Sequence, residues 1–161
     1  MLLKIFTAGL LLFCLHSASA ETLLVRVVGI TDGDTITVLD ASNQQLKVRL
    51  SAIDTPEKAQ PWGQKAKESL SDMVFNRQVT VDWHKTDRYG RTIGKVIVDG
   101  VDANLGQIKA GMAWHYKQYA REQPEDDRIL YAEAEDIARM LKKGLWSDTD
   151  PVPPWEWRKG K

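Results

Sequence analysis

Residues 23–54 read LLVRVVGITDGDTITVLDASNQQLKVRLSAID, and most of the predicted β-structure begins here. Residues 23–31 are rich in β-branched side chains, which favour strands. Residues 35–39 and 45–54 alternate polar and apolar side chains, which is the period of a half-buried strand. Residues 40–43, Asp-Ala-Ser-Asn, are typical of a turn. The stretch therefore predicts a three-stranded antiparallel meander.

After residue 54 the hydrophobic period changes from that of a strand to that of a helix. Residues 63–76 predict an amphipathic helix, because their apolar side chains and the tryptophan before them fall on one face. That face consists of Trp62, Ala66, Leu70, Met73 and Val74. Strand-like patterns return at residues 78–86 and 92–98.

The C-terminal part predicts two further helices and a tail. We expect Asn104 to cap the first, which Gly111 ends. Residues 126–143 form the longest predicted helix, since acidic residues crowd its start and lysines its end. Its predicted buried face consists of Leu130, Ala134, Ile137, Ala138 and Leu141. Three prolines predict an extended tail over residues 148–161, whose tryptophans either contact nucleic acid or, as we favour, pack on the barrel.

Five short strands with a helix after the third and helices after the fifth predict an α+β fold. We expect a small closed or nearly closed five-stranded barrel with about three α-helices, formed as one domain by residues 21–147; five-stranded barrels of this size are often OB-folds. Barrels of this kind commonly bind oligonucleotides.

The composition fits one globular domain and excludes one class of nucleic-acid binder. The chain has 161 residues, with 22 Lys+Arg against 22 Asp+Glu, and its formal net charge is zero. A protein that holds nucleic acid by bulk positive charge is therefore excluded, whereas a local basic cleft is not.

The first 20 residues predict a secretory signal peptide. Lys4 lies in a short basic start, residues 5–15 are almost wholly apolar, and Ser17-Ala18-Ser19-Ala20 provides a cleavage site after Ala20. The alternative is an uncleaved membrane anchor, but the run is shorter than the roughly 20 apolar residues that span a bilayer. Cleavage removes the only cysteine and leaves 141 residues with one net negative charge. We expect a secreted or periplasmic monomer without stable membrane association.

Three polar stretches carry the candidate chemistry. They read DGDT at residues 32–35, RLSAIDTPE at 49–57 and DRYGR at 87–91. Taken singly, each has an ordinary structural explanation: a hairpin turn, which we favour for DGDT alone, a strand end before a proline-directed loop, and a charged, solvated turn. Their combination is more informative than any one of them.

Together the stretches contain the groups needed to cleave a phosphodiester bond. Asp34 and Asp54 offer oxygen ligands for a hard cation, and a bend at Pro56 lets the Thr55 carbonyl face the same point. Glu57 follows as a carboxylate suited to activating water.

Two guanidinium groups complete this set. Arg49 and Arg91 match phosphate oxygens in a bidentate manner and can stabilise the charge that develops in the transition state. No histidine or serine nucleophile competes with this arrangement, and we expect structural roles for His84 and His115.

The three stretches, in this order, resemble the thermonuclease (staphylococcal nuclease) family. Further matches are Gln60-Pro61-Trp62-Gly63, Asn104 after Asp99-Gly100, Gly111-Met112-Ala113-Trp114 and Gly144-Leu145-Trp146-Ser147. The resemblance covers residues 23–147 and implies an OB-fold barrel with three helices. It also implies a calcium-dependent nuclease that acts on DNA and RNA and leaves 3′-phosphate ends.

The resemblance assigns a role to each matched position. It implies that Asp34 and Asp54 bind Ca²⁺ through their carboxylates, Thr55 through its backbone oxygen, and that Asp32 lies near the ion. It implies that Glu57 acts as the general base or, alternatively, only orients the attacking water. It implies that Arg49 and Arg91 bind the phosphate.

The substrate-binding assignments also come from the resemblance. Arg88 and Tyr89 match positions that contact a terminal phosphate. Tyr119 matches an aromatic residue that borders the base, and Tyr116 is a nearby candidate. The family's best-known member has a tyrosine where this chain has Lys117, and a longer loop after the base.

A different class of function remains to be compared with the enzyme. An OB-fold module that holds single strands without cutting them would use the same barrel. Such a module would not need both carboxylates, Glu57 and both arginines, so the sequence favours the nuclease.

Overall fold

The computed structural model describes residues 21–160; the predicted signal peptide lies outside the described residues. The chain begins with the predicted meander of three antiparallel strands. They are β1 (Glu21–Ile30), β2 (Thr35–Leu39) and β3 (Gln45–Leu50). The β1–β2 register shifts between Val27 and Gly29. A bulge of this kind increases the local twist, as a curved sheet requires.

Two later strands close the sheet into a barrel. β5 (Gln78–Thr86) pairs with β1, and β6 (Thr92–Val98) pairs with β5, both antiparallel. β6 then pairs in parallel with β3, Val48 lying opposite Thr92 and Leu50 opposite Gly94. The predicted α+β fold is confirmed: the molecule contains a closed, mixed five-stranded barrel of the OB-fold kind.

Three two-residue strands connect the barrel to its surroundings. They are β4 (Ile53–Asp54), β7 (Val101–Asp102) and β8 (Trp114–His115). β4 pairs with β8, so that Asp54 lies opposite Trp114. This pairing fixes the backbone at Asp54 just beyond the end of β3.

Three helices match the predicted number, and a fourth consists of a single turn. They are α1 (Gly63–Val74), α2 (Ala103–Lys109), α3 (Glu125–Met140) and α4 (Pro154–Trp157). Short 3-10 turns cover Lys117–Glu122, Gly144–Ser147 and Arg158–Gly160. Between residues 21 and 160, none of the helices is long and apolar enough to cross a membrane.

Two details of the helix prediction are wrong. Asp102, not Asn104, caps α2: its side chain accepts a hydrogen bond from the Leu105 N–H, while Asn104 is fully buried and bonded to the barrel backbone. The predicted buried face of α3 also fails in part, because three of its members are 43–56% exposed. Those three are Leu130, Ile137 and Leu141. The helix instead buries Tyr131, Ala134, Glu135 and Ala138.

The tail is not extended throughout. Residues 154–160 form α4 and a 3-10 turn. Pro154 stands at the start of α4, where its fixed φ suits a helix and its missing N–H costs no hydrogen bond. Pro154 therefore starts a helical turn within the tail.

Candidate active site

A cleft of about 650 Å³ opens at one end of the barrel. The 32–34 loop, the 49–57 segment and the 87–91 turn all contribute to its lining. Its far wall comes from the 3-10 turn after β8 and from Arg158 in the tail. The three polar stretches of the sequence therefore meet in one cavity.

Asp34 and Asp54 form the most buried charged pair in this cleft, at 5% and 1% exposure. Arg49 lies between them: its Nη1 is 3.1 Å from Asp34 Oδ2, and its Nη2 is 3.0 Å from Asp54 Oδ1. Arg49 Nη1 also donates to the Leu50 and Ile53 carbonyls, each at 3.2 Å. The two carboxylates are thus close enough for one cationic group to bridge them.

Local sequence explains how Asp34 is held. Its N–H donates to Asp32 Oδ1 at 3.1 Å, and the Thr35 hydroxyl donates to Asp34 Oδ1 at 3.0 Å. The Thr55 N–H donates to Asp34 Oδ2 at 3.1 Å, which links the first polar stretch to the second. Between the two acids, Gly33 is packed so closely that an added Cβ would lie 2.7 Å from Ala66 Cβ. Asp-Gly-Asp-Thr therefore forms a tight turn and also places Asp34 in the candidate site, so both interpretations of this stretch hold together.

Burial changes the acidity of these groups. Desolvation, helped by the charge of Asp34, raises the pKa of Asp32 to about 6. Desolvation also raises the pKa of Asp54, although Arg158 and Arg49 oppose it. Burial alone would lower the pKa of Arg49, but the neighbouring carboxylates raise it. Each charge in this cluster depends on the others for compensation.

Glu57 lies at the rim of the cluster and is paired with a residue that sequence reasoning did not assign to the site. Arg158 Nη1 lies 2.7 Å from Glu57 Oε1, and Arg158 Nη2 lies 2.7 Å from Asp54 Oδ2. The basic and aromatic composition of the tail was the only feature of the sequence that pointed to such a contact, and composition does not show which residues the tail packs against.

Arg91 occupies another wall of the cleft and is held by a turn. Its Nε donates to Asp87 Oδ2 at 2.8 Å, and Asp87 Oδ1 accepts from the N–H groups of Tyr89 and Arg91. Desolvation acts in the opposite direction and is the largest single effect, but the hydrogen bonds from Arg91 and Tyr89 together outweigh it and lower the pKa of Asp87. The Arg88 and Arg91 guanidinium carbons lie 4.9 and 5.5 Å from the centre of the exposed Tyr89 ring. The Asp-Arg-Tyr-Gly-Arg turn thus presents two cations and one aromatic ring.

Aromatic side chains form the wall on the side of the tail. The rings of Tyr116 and Tyr119 meet edge to face at 5.1 Å, and Trp155 stacks on Tyr116 at 5.5 Å with an interplanar angle of 12°. Trp155 also contacts Trp114 edge-on at 5.5 Å. The predicted substrate-binding set, Arg88, Tyr89, Tyr116 and Tyr119, lines the cleft, whereas Trp155 was not in that set and packs against Tyr116.

Lys117 does not take the place of the missing tyrosine in this wall. Its Nζ lies 2.7 Å from Glu135 Oε2 and 3.1 Å from His115 Nδ1. His115 Nε2 is 2.7 Å from Gln123 Oε1, and desolvation lowers the pKa of His115. These groups support the packing of β8 against α3, in keeping with a structural His115.

The donor set at Asp34 and Asp54 suits a hard cation. Both side chains are buried carboxylates, whose negative charge needs a nearby positive charge. In this structure guanidinium groups supply it, and a bound cation would supply it in the same place. Across residues 21–160, no group of three or more His, Cys, Asp or Glu side chains is arranged to hold a metal ion. A cation here would therefore take its remaining ligands from backbone or water oxygens, as calcium sites commonly do.

Comparison with known proteins identifies the family. The family model described as "Staphylococcal nuclease homologue" matches residues 47–148. The chain belongs to the staphylococcal nuclease family. The matched region contains Arg49, Asp54, Glu57, Arg91 and the tyrosines of the cleft, but it leaves out the 32–35 loop and the tail that carries Arg158.

Similar proteins of this family cover most of the chain. An "Uncharacterized endonuclease" of Haemophilus influenzae is 42% identical over 96% of this chain and 84% of its own length. "Protein ParB" of Escherichia coli is 42% identical over 94% of this chain and 88% of its own length. The "Micrococcal nuclease" of Shigella flexneri is also 42% identical, over 83% of this chain and 79% of its own length. Family and relatives together support a nuclease, a hydrolase whose substrate is nucleic acid.

Proposed function

We propose that the protein is a secreted or periplasmic, calcium-dependent endonuclease that hydrolyses DNA and RNA and leaves 3′-phosphate ends. The observation that carries the proposal is the convergence of Asp34, Asp54, Glu57, Arg49 and Arg91 on one cleft. The relatives named as nucleases support the reaction type.

The residues of this chain supply most of the proposed chemistry. Glu57 takes a proton from water, whose oxygen attacks phosphorus, and the bond to the 5′-oxygen breaks. Arg49 and Arg91 contact the non-bridging oxygens and stabilise the charge that accumulates on them. The departing 5′-oxygen receives a proton from Arg91 or from water. The product keeps its phosphate on the 3′ side.

The cation and the location are parts of the same proposal. Asp34, Asp54 and the Thr55 carbonyl would hold Ca²⁺, with Asp32 beside the ion. When bound, the ion supplies a fixed positive charge next to the phosphate. The predicted signal peptide would direct the protein to compartments where weak calcium sites, with Kd of about 10⁻⁴ to 10⁻³ M, can fill.

The substrate contacts follow from the walls of the cleft. Arg88 and Tyr89 lie on the turn that holds Arg91, where a terminal phosphate would reach them. Tyr119 is 41% exposed and would offer its ring to a base, with Tyr116, itself stacked on Trp155, bordering the same position. Stacking on an aromatic face tolerates every base.

The test is digestion of plasmid DNA and of RNA with calcium, with EDTA, and with magnesium alone. We expect cleavage of both substrates in calcium and none in EDTA. Intact substrate in calcium together with a gel shift would instead identify a binding module that does not cut.

Two isosteric variants separate metal binding from turnover. Glu57→Gln should keep calcium binding and lose about 10²- to 10⁴-fold in turnover, because the proton acceptor is removed while both proposed carboxylate ligands remain. Asp34→Asn should lose calcium affinity as well. Calorimetric titration measures the affinity, and equal affinity of wild type and Asp34→Asn for calcium would refute the ligand assignment.

A further inference from the structure

The C-terminal tail is fixed to the rest of the domain at several points. The Trp62 Nε1–H donates to Asp148 Oδ2 at 2.8 Å, and the Gln60 side chain donates to the Val152 carbonyl at 2.6 Å. Further along, Trp155 packs between Trp114 and Tyr116. The residues after Trp155 are therefore held at the site by packing and hydrogen bonds.

The anchored tail delivers Arg158 to Asp54 and Glu57. Its Nη1 donates to Glu57 Oε1 at 2.7 Å and to Asp54 Oδ1 at 3.3 Å, while its Nη2 donates to Asp54 Oδ2 at 2.7 Å. Asp54 Oδ1 also accepts from Arg49 Nη2 at 3.0 Å. Both oxygens of Asp54 are thus occupied by guanidinium groups.

This arrangement has a consequence for any cation that binds Asp54. A cation that binds Asp54 must approach oxygens that already accept from Arg158, and because the two positive charges repel each other they compete for this carboxylate. Because the anchored tail holds the guanidinium beside Asp54, it competes as an intramolecular group at a high effective concentration. A divalent ion carries twice the charge of the guanidinium and can displace it.

We infer that Arg158 is part of the metal site, as a tethered guanidinium that a divalent cation must displace from Asp54, and that it thereby sets the cation concentration at which the site fills. This inference rests on the proposed function only in taking Asp54 to be a metal ligand. It assigns a role to the tail, which lies beyond the matched region of the family, residues 47–148.

The direct test is calorimetric titration of calcium into wild type and Arg158→Gln, without any nuclease assay. The variant should bind calcium about three- to tenfold more tightly, because one partly exposed competing charge is removed. Arg158→Lys should fall between the two, since it keeps the charge and loses the fork.

Lys159→Gln is the matched control. Like Arg158→Gln, it removes one positive charge from the tail, but at a side chain whose Nζ pairs with the exposed Glu156 at 2.9 Å and not with the site. This control should bind calcium as wild type does. Trp155→Ala provides a second route to the same effect, because it keeps Arg158 but loosens its anchor, and it too should tighten calcium binding.

The outcomes distinguish this inference from the proposed function. Equal or weaker calcium binding by Arg158→Gln, with unchanged near-ultraviolet circular dichroism in EDTA, would overturn the competition. Absence of calcium binding by wild type and every variant would overturn the calcium site of the proposed function, and the inference with it. Tighter binding by both Arg158→Gln and Lys159→Gln would reduce the effect to general charge and also count against it.

Discussion

Replacing Asn104 by alanine should destabilise the barrel at the seam where β3 meets β6. Asn104 is fully buried and its side-chain oxygen accepts from the Val96 N–H at 3.0 Å. Its amide donates to the Ser51 carbonyl at 3.0 Å and to the Gly94 carbonyl at 3.3 Å. One side chain therefore links β6 to the loop that leads from β3 to Asp54.

The magnitude follows from the groups left without partners. Each buried polar group that loses its partner costs about 1–3 kcal/mol. Loss of the bonds to Val96 and Ser51 should lower the free energy of unfolding by about 3 kcal/mol, allowing for partial rescue by water. For a domain of this size the melting temperature should fall by roughly 10 °C.

Urea denaturation followed by tryptophan fluorescence would measure this change. Gln64→Ala is the control, since Gln64 makes one exposed hydrogen bond, to Glu68, and its loss should alter stability by less than about 0.5 kcal/mol. Asn104→Asp keeps the acceptor for Val96 but removes both donated bonds, so it should also destabilise at neutral pH. A loss below about 1 kcal/mol for Asn104→Ala would refute the claim that these bonds hold the seam.

Three further predictions concern the site and its support. Arg49→Lys should reduce turnover about hundredfold or more under saturating calcium, since an ammonium group cannot replace the fork, and near-normal turnover would contradict its role. Gly33→Ala should lower stability by about 1–3 kcal/mol in urea, because the new methyl would lie 2.8 Å from Thr55 Oγ1; Gly160→Ala, with open space around it, is the control. The lowered pKa of His115 should make its contribution to stability complete above about pH 6.5 and smaller as the pH falls below that value. Unfolding measured at pH ~7.5 and ~5 should therefore show a larger loss for wild type than for His115→Gln.

Local periodicity and turn chemistry predicted much of the barrel. The alternation in residues 35–39 and 45–50 matches β2 and β3, because a strand with one buried face imposes a period of two. Asp-Gly-Asp-Thr gave both a turn and a candidate ligand, and the structure brings Asp34 into contact with Thr55 from the second stretch. These features depend on neighbouring residues and could be found without the fold.

Other features depend on which part of the protein a helix or the tail packs against, and hydrophobic periodicity does not contain that information. The predicted buried face of α3 contained leucines and an isoleucine at helical spacing. The residues that are buried instead, among them Tyr131 and Glu135, have the same spacing, so the pattern could not distinguish the two faces. Glu135 can be buried because it accepts from the His115 N–H and pairs with Lys117, partners that are distant in sequence. Arg158 lies 104 residues from Asp54, and nothing local in either segment indicates the pairing.

The net charge of the chain conceals how charge is distributed at the site. Asp32, Asp34, Asp54 and Glu57 stand in one cluster, and the guanidinium groups of Arg49 and Arg158 lie against three of these four carboxylates. Without a bound cation, these two arginines are paired with carboxylates. A phosphate entering the cleft would then be repelled by the negative charge that remains uncompensated. A divalent ion at Asp34 and Asp54 would restore the balance and leave the arginines free to contact phosphate. A total charge near zero is therefore compatible with a nuclease whose basic groups serve the substrate only once the metal is bound.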